Sequence, residues 1–337
     1  MNGYGQDGAG PTESGSPGYG STDKLGEQLA ERRVLFMGPP GSGKTSILSV
    51  VFEDTVAYDT LGMMPTQQQA AYQMVAGITI YDFPGIDYYS ETQYNPPNPA
   101  IYEGDYTSLV FVIDSQGDFQ NSLATLFSVI RTAQAVNPQL PINIFINKVD
   151  SLSEELKQDV HQDMQQQVWK TMRYENLNSA YVQFFLTTIF HDDIREALSR
   201  VVQRLVPNHS SLETILNSFC SKSSLDKVFL FDVTTKIYLA MDSSPTDPQI
   251  FRFAFETLKA MDDVSQLCIE YLPPSDDGMM SQKVTFDLEG SIRVFVYQVN
   301  SYLSLLCVGS TQVIRQKSLL EFNGSKVAKA IRQILPS

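Results

Sequence analysis

The sequence predicts an α/β fold organised round a phosphate-binding loop, followed by a smaller α+β domain. Three observations carry this expectation. An apolar run, Val34–Met37, leads into Gly-x-x-x-x-Gly-Lys-Thr at residues 38–45, and a helix-compatible stretch follows from Ser46 to Val51. Short β-like runs then alternate with helical stripes as far as Pro207. Beyond Pro207 the alternation breaks, and strand-like segments dominate.

The loop explains its own residues. Glycines at 38, 41 and 43 let backbone N–H groups close round phosphate oxygens, and a side chain at Gly43 is expected to obstruct that approach. The loop and helix start supply the expected contacts: Gly38, Pro39, Pro40, Gly41, Ser42, Gly43, Lys44, Thr45 and Ser46. Lys44 is expected to reach the β- and γ-phosphates, and the Thr45 hydroxyl to bind Mg²⁺.

Taken in order, residues 1–26 are rich in Gly, Ser, Pro and Tyr and predict a disordered tail, because so few aliphatic groups cannot offset the ordering entropy. Residues 27–207 carry the β-like runs Val34–Met37, Ile78–Tyr81, Leu109–Ile113, Ile142–Ile146 and Val182–Leu186. Between them lie three helical faces: Leu123, Leu126, Phe127 and Ile130; then Leu156, Val160, Met164, Val168 and Met172; then Ile194, Leu198, Val201, Val202 and Leu205. Such alternation predicts a parallel sheet covered on both faces. In residues 208–337, Val228–Asp232 and Lys236–Met241 flank a hairpin turn, and a helix is expected from about Asp247 to Ala260. Leu267–Leu272, Val284–Leu288, Ile292–Val299 and Tyr302–Val308 read as further strands, and a last helix carries Val327, Ala328, Ile331 and Leu335. This half reads as an antiparallel-sheet interaction module with no catalytic constellation.

Composition narrows the function classes. Lys+Arg of 24 against Asp+Glu of 38 gives a net charge of −14, which disfavours nonspecific contact with nucleic acid or anionic membranes. Cys220, Cys268 and Cys307 sit on mostly apolar runs and read as reduced core residues. His161, His191 and His209 lack metal-ligand spacing. Without a secretory signal, a membrane-length apolar run or a lipidation box, the expectation is a cytoplasmic protein that reaches any membrane through a partner.

Two further motifs decide the nucleotide. The second predicted strand ends in Tyr81-Asp82-Phe83-Pro84-Gly85; Asp82 suits the Mg²⁺ shell, and the glycine lets the next loop approach a γ-phosphate. Thr66, with Thr60 as runner-up, is expected to add a metal-binding hydroxyl. Asn147-Lys148-Val149-Asp150 closes another strand. A carboxylate at 150 can accept from N1–H and the 2-amino group of guanine, whereas adenine would leave it unpaired, at a cost of about 1–3 kcal/mol. Asn147 is expected to brace the phosphate loop and Lys148 to cover the base; Leu186-Thr187-Thr188-Ile189, closing the last strand, sits where a backbone amide can meet the guanine carbonyl. GTP or GDP with Mg²⁺ is therefore the expected ligand, and Asp150 argues against an ATPase or nucleotide kinase.

At this point a family resemblance is legible. Residues 34–207 resemble a Ras-type G domain, and Tyr81–Gly85, Phe111–Asp114, Asn147–Ser153, Phe185–Ile189 and Val201–Pro207 resemble the Rag GTPases, in particular the Rag C/D subfamily. Phe229–Val233, Lys236–Tyr238 and Asp242–Pro245 extend the resemblance into the second half. The resemblance implies a Ras-like P-loop G domain followed by a roadblock/profilin-like domain at 208–337 that pairs with a Rag A/B-type GTPase. It also implies catalytic positions at Lys44, Thr66 and Gly85, a GTPase-activating protein, docking on a lysosomal or vacuolar scaffold complex, and signalling of amino-acid sufficiency to the TOR kinase complex. In that family the C/D-type subunit signals when loaded with GDP.

The chain also departs from the family pattern. Where the family commonly has a water-orienting glutamine, this sequence has Ile86, which cannot hydrogen-bond a water. Slow hydrolysis is expected, with Asp87 or a partner's residue as the substitutes, Asp87 being the poorer because its charge repels the γ-phosphate. Ser90–Asp105 is long and proline-bearing, a switch or a surface loop. A pseudo-GTPase scaffold holding structural nucleotide is the alternative reading.

Overall fold

The computed structural model describes residues 31–86, 98–245, 247–268, 283–287, 292–310 and 317–335. The expected tail, Asp87 and the first part of the proline-bearing loop lie outside these residues.

Two sheets organise the chain. The first holds β1 (Arg32–Met37), β2 (Ala70–Met74), β3 (Ile78–Asp82), β4 (Thr107–Asp114), β5 (Ile142–Asn147) and β6 (Val182–Thr187), in the order β2-β3-β1-β4-β5-β6. β3, β1, β4, β5 and β6 run parallel, as expected; β2, absent from the sequence reading, pairs antiparallel with β3. Its residues, Ala-Ala-Tyr-Gln-Met, are half exposed and lack the apolar run of the buried strands. β1 lies between β3 and β4, so the chain leaves it in opposite directions. The loop after β1 opens at that switch point, the usual place for a ligand in such sheets.

Alternation along β1 separates two cores. Val34 and Phe36 pack with α1 (Lys44–Phe52) and α4 (Asp193–Gln203), whereas Leu35 and Met37 pack with α2 (Phe119–Val136) and α3 (Glu154–Tyr174). The predicted faces of α2 and α4 are buried. On α3, Met164, Val168 and Met172 are buried, but Leu156 is 51% exposed: it lies in the first turn, immediately after the Ser153 cap.

The second sheet, in the order β8-β7-β11-β10-β9, is antiparallel throughout. It comprises β7 (Lys227–Asp232), β8 (Tyr238–Met241), β9 (Lys283–Asp287), β10 (Ile292–Gln298) and β11 (Leu303–Ser310). The helix α5 (His209–Lys222) was not expected; its buried Leu212, Leu216, Phe219 and Cys220 have helical spacing inside a serine-rich stretch. α6 (Pro248–Cys268) extends past its expected end, so Leu267 and Cys268 are helical, not strand. α7 (Lys317–Ile334) is the expected last helix.

One apolar cluster joins the two sheets. Phe36 and Val112 of the first, Leu198 and Val202 of α4, Phe219 of α5, and Leu230, Leu239 and Ile331 beyond it are all members. Arg195 of α4, 8% exposed, adds a polar tie. Its Nη2 donates to the Val50 carbonyl of α1 (3.1 Å), its Nε donates to the Thr235 carbonyl of the β7–β8 turn (3.3 Å), and its guanidinium lies 4.9 Å from the Phe255 ring centre. Buried polar groups are retained where such partners exist.

Candidate functional site

The loop from Gly38 to Gly43 turns β1 into α1 through three left-handed glycines. Two of them cannot carry a side chain. A Cβ at Gly38 would lie 2.2 Å from the Val112 carbonyl oxygen, and one at Gly43 would lie 2.5 Å from Asn147 Nδ2. The crowding at Gly43 thus comes from the base-side strand as well as from any phosphate. Lys44, 5% exposed, folds back over the loop: its Nζ donates to the Gly38 carbonyl (3.0 Å), the Pro39 carbonyl (2.9 Å) and Ser42 Oγ (3.4 Å). Burial lowers its pKa to about 8, against the opposing pull of Asp82. An ammonium so desolvated gains from an incoming polyphosphate.

Three oxygens meet one turn away. Thr45 Oγ1 donates to Asp82 Oδ2 at 2.6 Å and lies 2.5 Å from Thr66 Oγ1. Asp82 is fully buried at the end of β3, burial raises its carboxyl pKa, and its Oδ1 has no hydrogen-bond partner. An orphaned buried carboxylate oxygen beside two hydroxyls fits a hard divalent cation such as Mg²⁺, which prefers oxygen ligands. Thr60 also borders the cavity, but its Oγ1 donates to the Ala57 carbonyl (2.8 Å) inside a 3-10 turn, Ala57–Gly62.

Gly85 presses on the phosphate loop, since a Cβ there would lie 2.6 Å from Pro40 Cα. The Ile86 N–H donates to the Gly38 carbonyl (3.0 Å), and its side chain, 7% exposed, joins the cluster that holds Met37, Phe83 and Tyr102.

On the other side, β5 delivers Asn147, whose Nδ2 donates to the Ser42 carbonyl (3.0 Å) and whose Oδ1 accepts from Thr187 Oγ1 (3.2 Å). Lys148 takes φ 64°, and its Nζ reaches the Gly41 carbonyl (2.8 Å) and Asp114 Oδ2 (2.7 Å). Asp150 is exposed, and its Oδ1 accepts from the hydroxyl of buried Thr188 (2.8 Å), leaving the other oxygen for a ligand. Lys44, Thr66, Gly85, Asn147, Asp150 and Ile189 border one cavity of about 1290 Å³. Thr188 acts behind it by holding Asp150.

Sequence reasoning gave no site role to Asp114 or Gln116, and read Thr187 only as backbone near the base. Gln116 Nε2 donates to the Lys148 carbonyl (3.2 Å) and to Ser151 Oγ (2.7 Å), supporting the same turn. The available signal was register: Asp114 pairs with Asn147, and Asn147 with Thr187, so the ends of β4, β5 and β6 come together.

A phosphate loop at the switch point of a parallel sheet, with a carboxylate–hydroxyl set on one side and Asn-Lys-x-Asp on the other, defines a P-loop nucleotide-binding protein of the G-protein class. Comparison with known proteins narrows this. Residues 33–261 match the Gtr1/RagA G protein conserved region. The chain is 33% identical to GTP-binding protein gtr2 of Schizosaccharomyces pombe, over 91% of this chain and 98% of that protein. It is also 33% identical to Ras-related GTP-binding protein C of Homo sapiens, over 92% and 78% respectively. GTP-binding protein gtr1 of Schizosaccharomyces pombe is 24% identical over 88% of this chain and 94% of that protein. The chain belongs to the Rag GTPase family and is of the C/D type.

Proposed function

We propose that this chain is a guanine-nucleotide switch subunit, the C/D-type half of a heterodimer with a Rag A/B-type GTPase. The observation that carries the guanine assignment is the Thr188-held Asp150 at the mouth of the cavity that also holds Lys44 and Thr66. Lys44 would exchange its loop carbonyls for β- and γ-phosphate oxygens, while loop amides and the start of α1 face the same anion. Thr45, Thr66 and Asp82 would hold Mg²⁺, which supplies charge neutralisation on the phosphates when bound. Closure of the Thr66 and Gly85 segments on a γ-phosphate would then distinguish the GTP from the GDP form.

Hydrolysis in this reading is slow, because Ile86 contributes an apolar side chain packed in the core where a polar one would orient water. A GTPase-activating protein would supply the missing group. Residues 27–207 serve as the GTPase domain and residues 208–337 as a roadblock-type pairing domain; relatives named Gtr1 and Gtr2, and Rag A and Rag C, support pairing within the family. Recruitment to a lysosomal or vacuolar scaffold and signalling to the TOR kinase complex complete the proposal, supported by the likeness to the Rag family. The buried Ile86 favours a second reading, a scaffold subunit with structural nucleotide. Single-turnover GTP hydrolysis by the co-expressed heterodimer separates the two.

The base assignment is tested by Asp150→Asn. The amide donates where the carboxylate accepted, so the variant should lose at least about a hundredfold in GDP affinity, two charge-assisted bonds of about 1.5–3 kcal/mol each being at stake. It should gain affinity for xanthosine diphosphate. Unchanged GDP binding removes the base-pocket assignment.

A further inference from the structure

A second groove lies at the opposite edge of the first sheet and shares no lining residue with the nucleotide cavity. It has a volume of about 700 Å³ and runs between the open edge of β6 and the end of β8. The Tyr181 carbonyl accepts from the Ile142 N–H (2.9 Å), so the peptide groups facing β5 belong to alternate residues. Those of Val182, Phe184 and Leu186 therefore point outward; the Val182 N–H donates to the Ser179 carbonyl (3.3 Å), and among the described residues the outward groups of Phe184 and Leu186 have no strand partner. An open edge of this kind is a template for another strand.

The walls carry donors and no carboxylate. Arg200 and Gln203 come from α4, Arg204 caps its C-terminal end, His209 begins α5, and Trp169 of α3 closes one side with its ring 5.9 Å from that of Phe184. Two polar atoms there, Gln203 Nε2 and His209 Nε2, are buried without a partner. Buried polar atoms are normally satisfied, so such a pair asks for a ligand. Arg200 is already paired with Glu196 at 2.8 Å. Arg204 is exposed and forms no ion pair among the described residues. On a chain of net charge −14, a groove that offers the unpaired Arg204 and no acid in its lining favours an acidic occupant.

We propose that this groove takes an extended peptide segment of a partner protein. The segment adds a strand to the edge of β6 and places an Asp or Glu side chain against Arg204 and His209, with apolar neighbours on Trp169.

Random-heptapeptide display on the immobilised full chain, run in parallel on Arg204→Glu, tests this directly. The native chain should enrich heptapeptides that carry Asp or Glu, and the variant should bind the selected peptides about tenfold more weakly or worse. Trp169 is the chain's single tryptophan, so its emission reports occupancy of the groove without a label. The selected synthetic peptide should shift that emission, and its N-methylated form should not. Retained GDP binding by Arg204→Glu verifies that the variant is folded. Selection without acidic preference, or equal binding to the variant, overturns the proposal. So does an emission shift reproduced by sodium phosphate alone, which makes the groove an anion site, or by raising the concentration of the chain itself, which makes it a self-contact.

Discussion

Ile86→Gln puts the glutamine common to the family into a position this chain has built into its core. Ile86 is 7% exposed, so nearly all of its apolar surface is removed from water, worth about 1.5–3 kcal/mol. A glutamine confined there would also bury an unpaired amide, adding about 1–3 kcal/mol. It can escape part of that by turning into the neighbouring nucleotide cavity, which Ile86 borders, but it then leaves a void. The expected loss is about 2–4 kcal/mol, read as a lower urea midpoint of the GDP-loaded chain at unchanged slope. Ile86→Val, which removes one methyl group, should cost only about 0.5–1.5 kcal/mol. Because the backbone N–H of residue 86 is tied to the Gly38 carbonyl, its side chain starts toward the core. Single-turnover GTP hydrolysis should therefore rise by less than about tenfold, or 1.4 kcal/mol in barrier. A glutamine variant as stable as the native chain would refute the core placement. A larger acceleration would show that the side chain reaches the γ-phosphate.

Two other perturbations follow from the geometry. Lys44 has its pKa lowered to about 8 by burial, and phosphate contact should raise it, so GDP affinity should be fully present below pH 8 and fall as pH rises above it. Fluorescent-GDP titrations from pH 7 to 9.5 read this, and a flat profile would show that Lys44 does not bear on the phosphate. Arg195→Met should cost about 2–4 kcal/mol by leaving the Val50 and Thr235 carbonyls without their donor, and Arg195→Lys should recover only part, since an ammonium lacks the planar fork. A methionine variant with native urea stability would show that the tie is dispensable.

Much of the first sheet was legible because its parallel strands are buried on both faces and read as continuous apolar runs, as in Leu109–Ile113. β2 was not, because an edge strand with one wet face carries no such run. α5 escaped because Ser210, Ser211, Ser218 and Ser221 mask the spacing of Leu212, Leu216 and Phe219. The end of α6 was misjudged where Leu267 and Cys268 could serve equally in a strand. At the site, motif residues were legible because residue type and spacing match the chemistry expected of a phosphate, a metal and a base. Asp114, Gln116 and the Thr187 side chain support the motif residues by hydrogen bonds, and that role depends on strand register, which no local pattern announces.

The apolar cluster shared by the two sheets has a thermodynamic consequence. With Phe36 and Leu230 in one continuous core, the sheets should melt as a single cooperative block, and slow amide exchange in β7 and β11 should report events at the phosphate loop. Nucleotide at a thousandfold over its Kd adds about 4 kcal/mol to that block. GDP or GTP would then stabilise the second sheet as much as the first, and removing nucleotide should open both halves to proteolysis together.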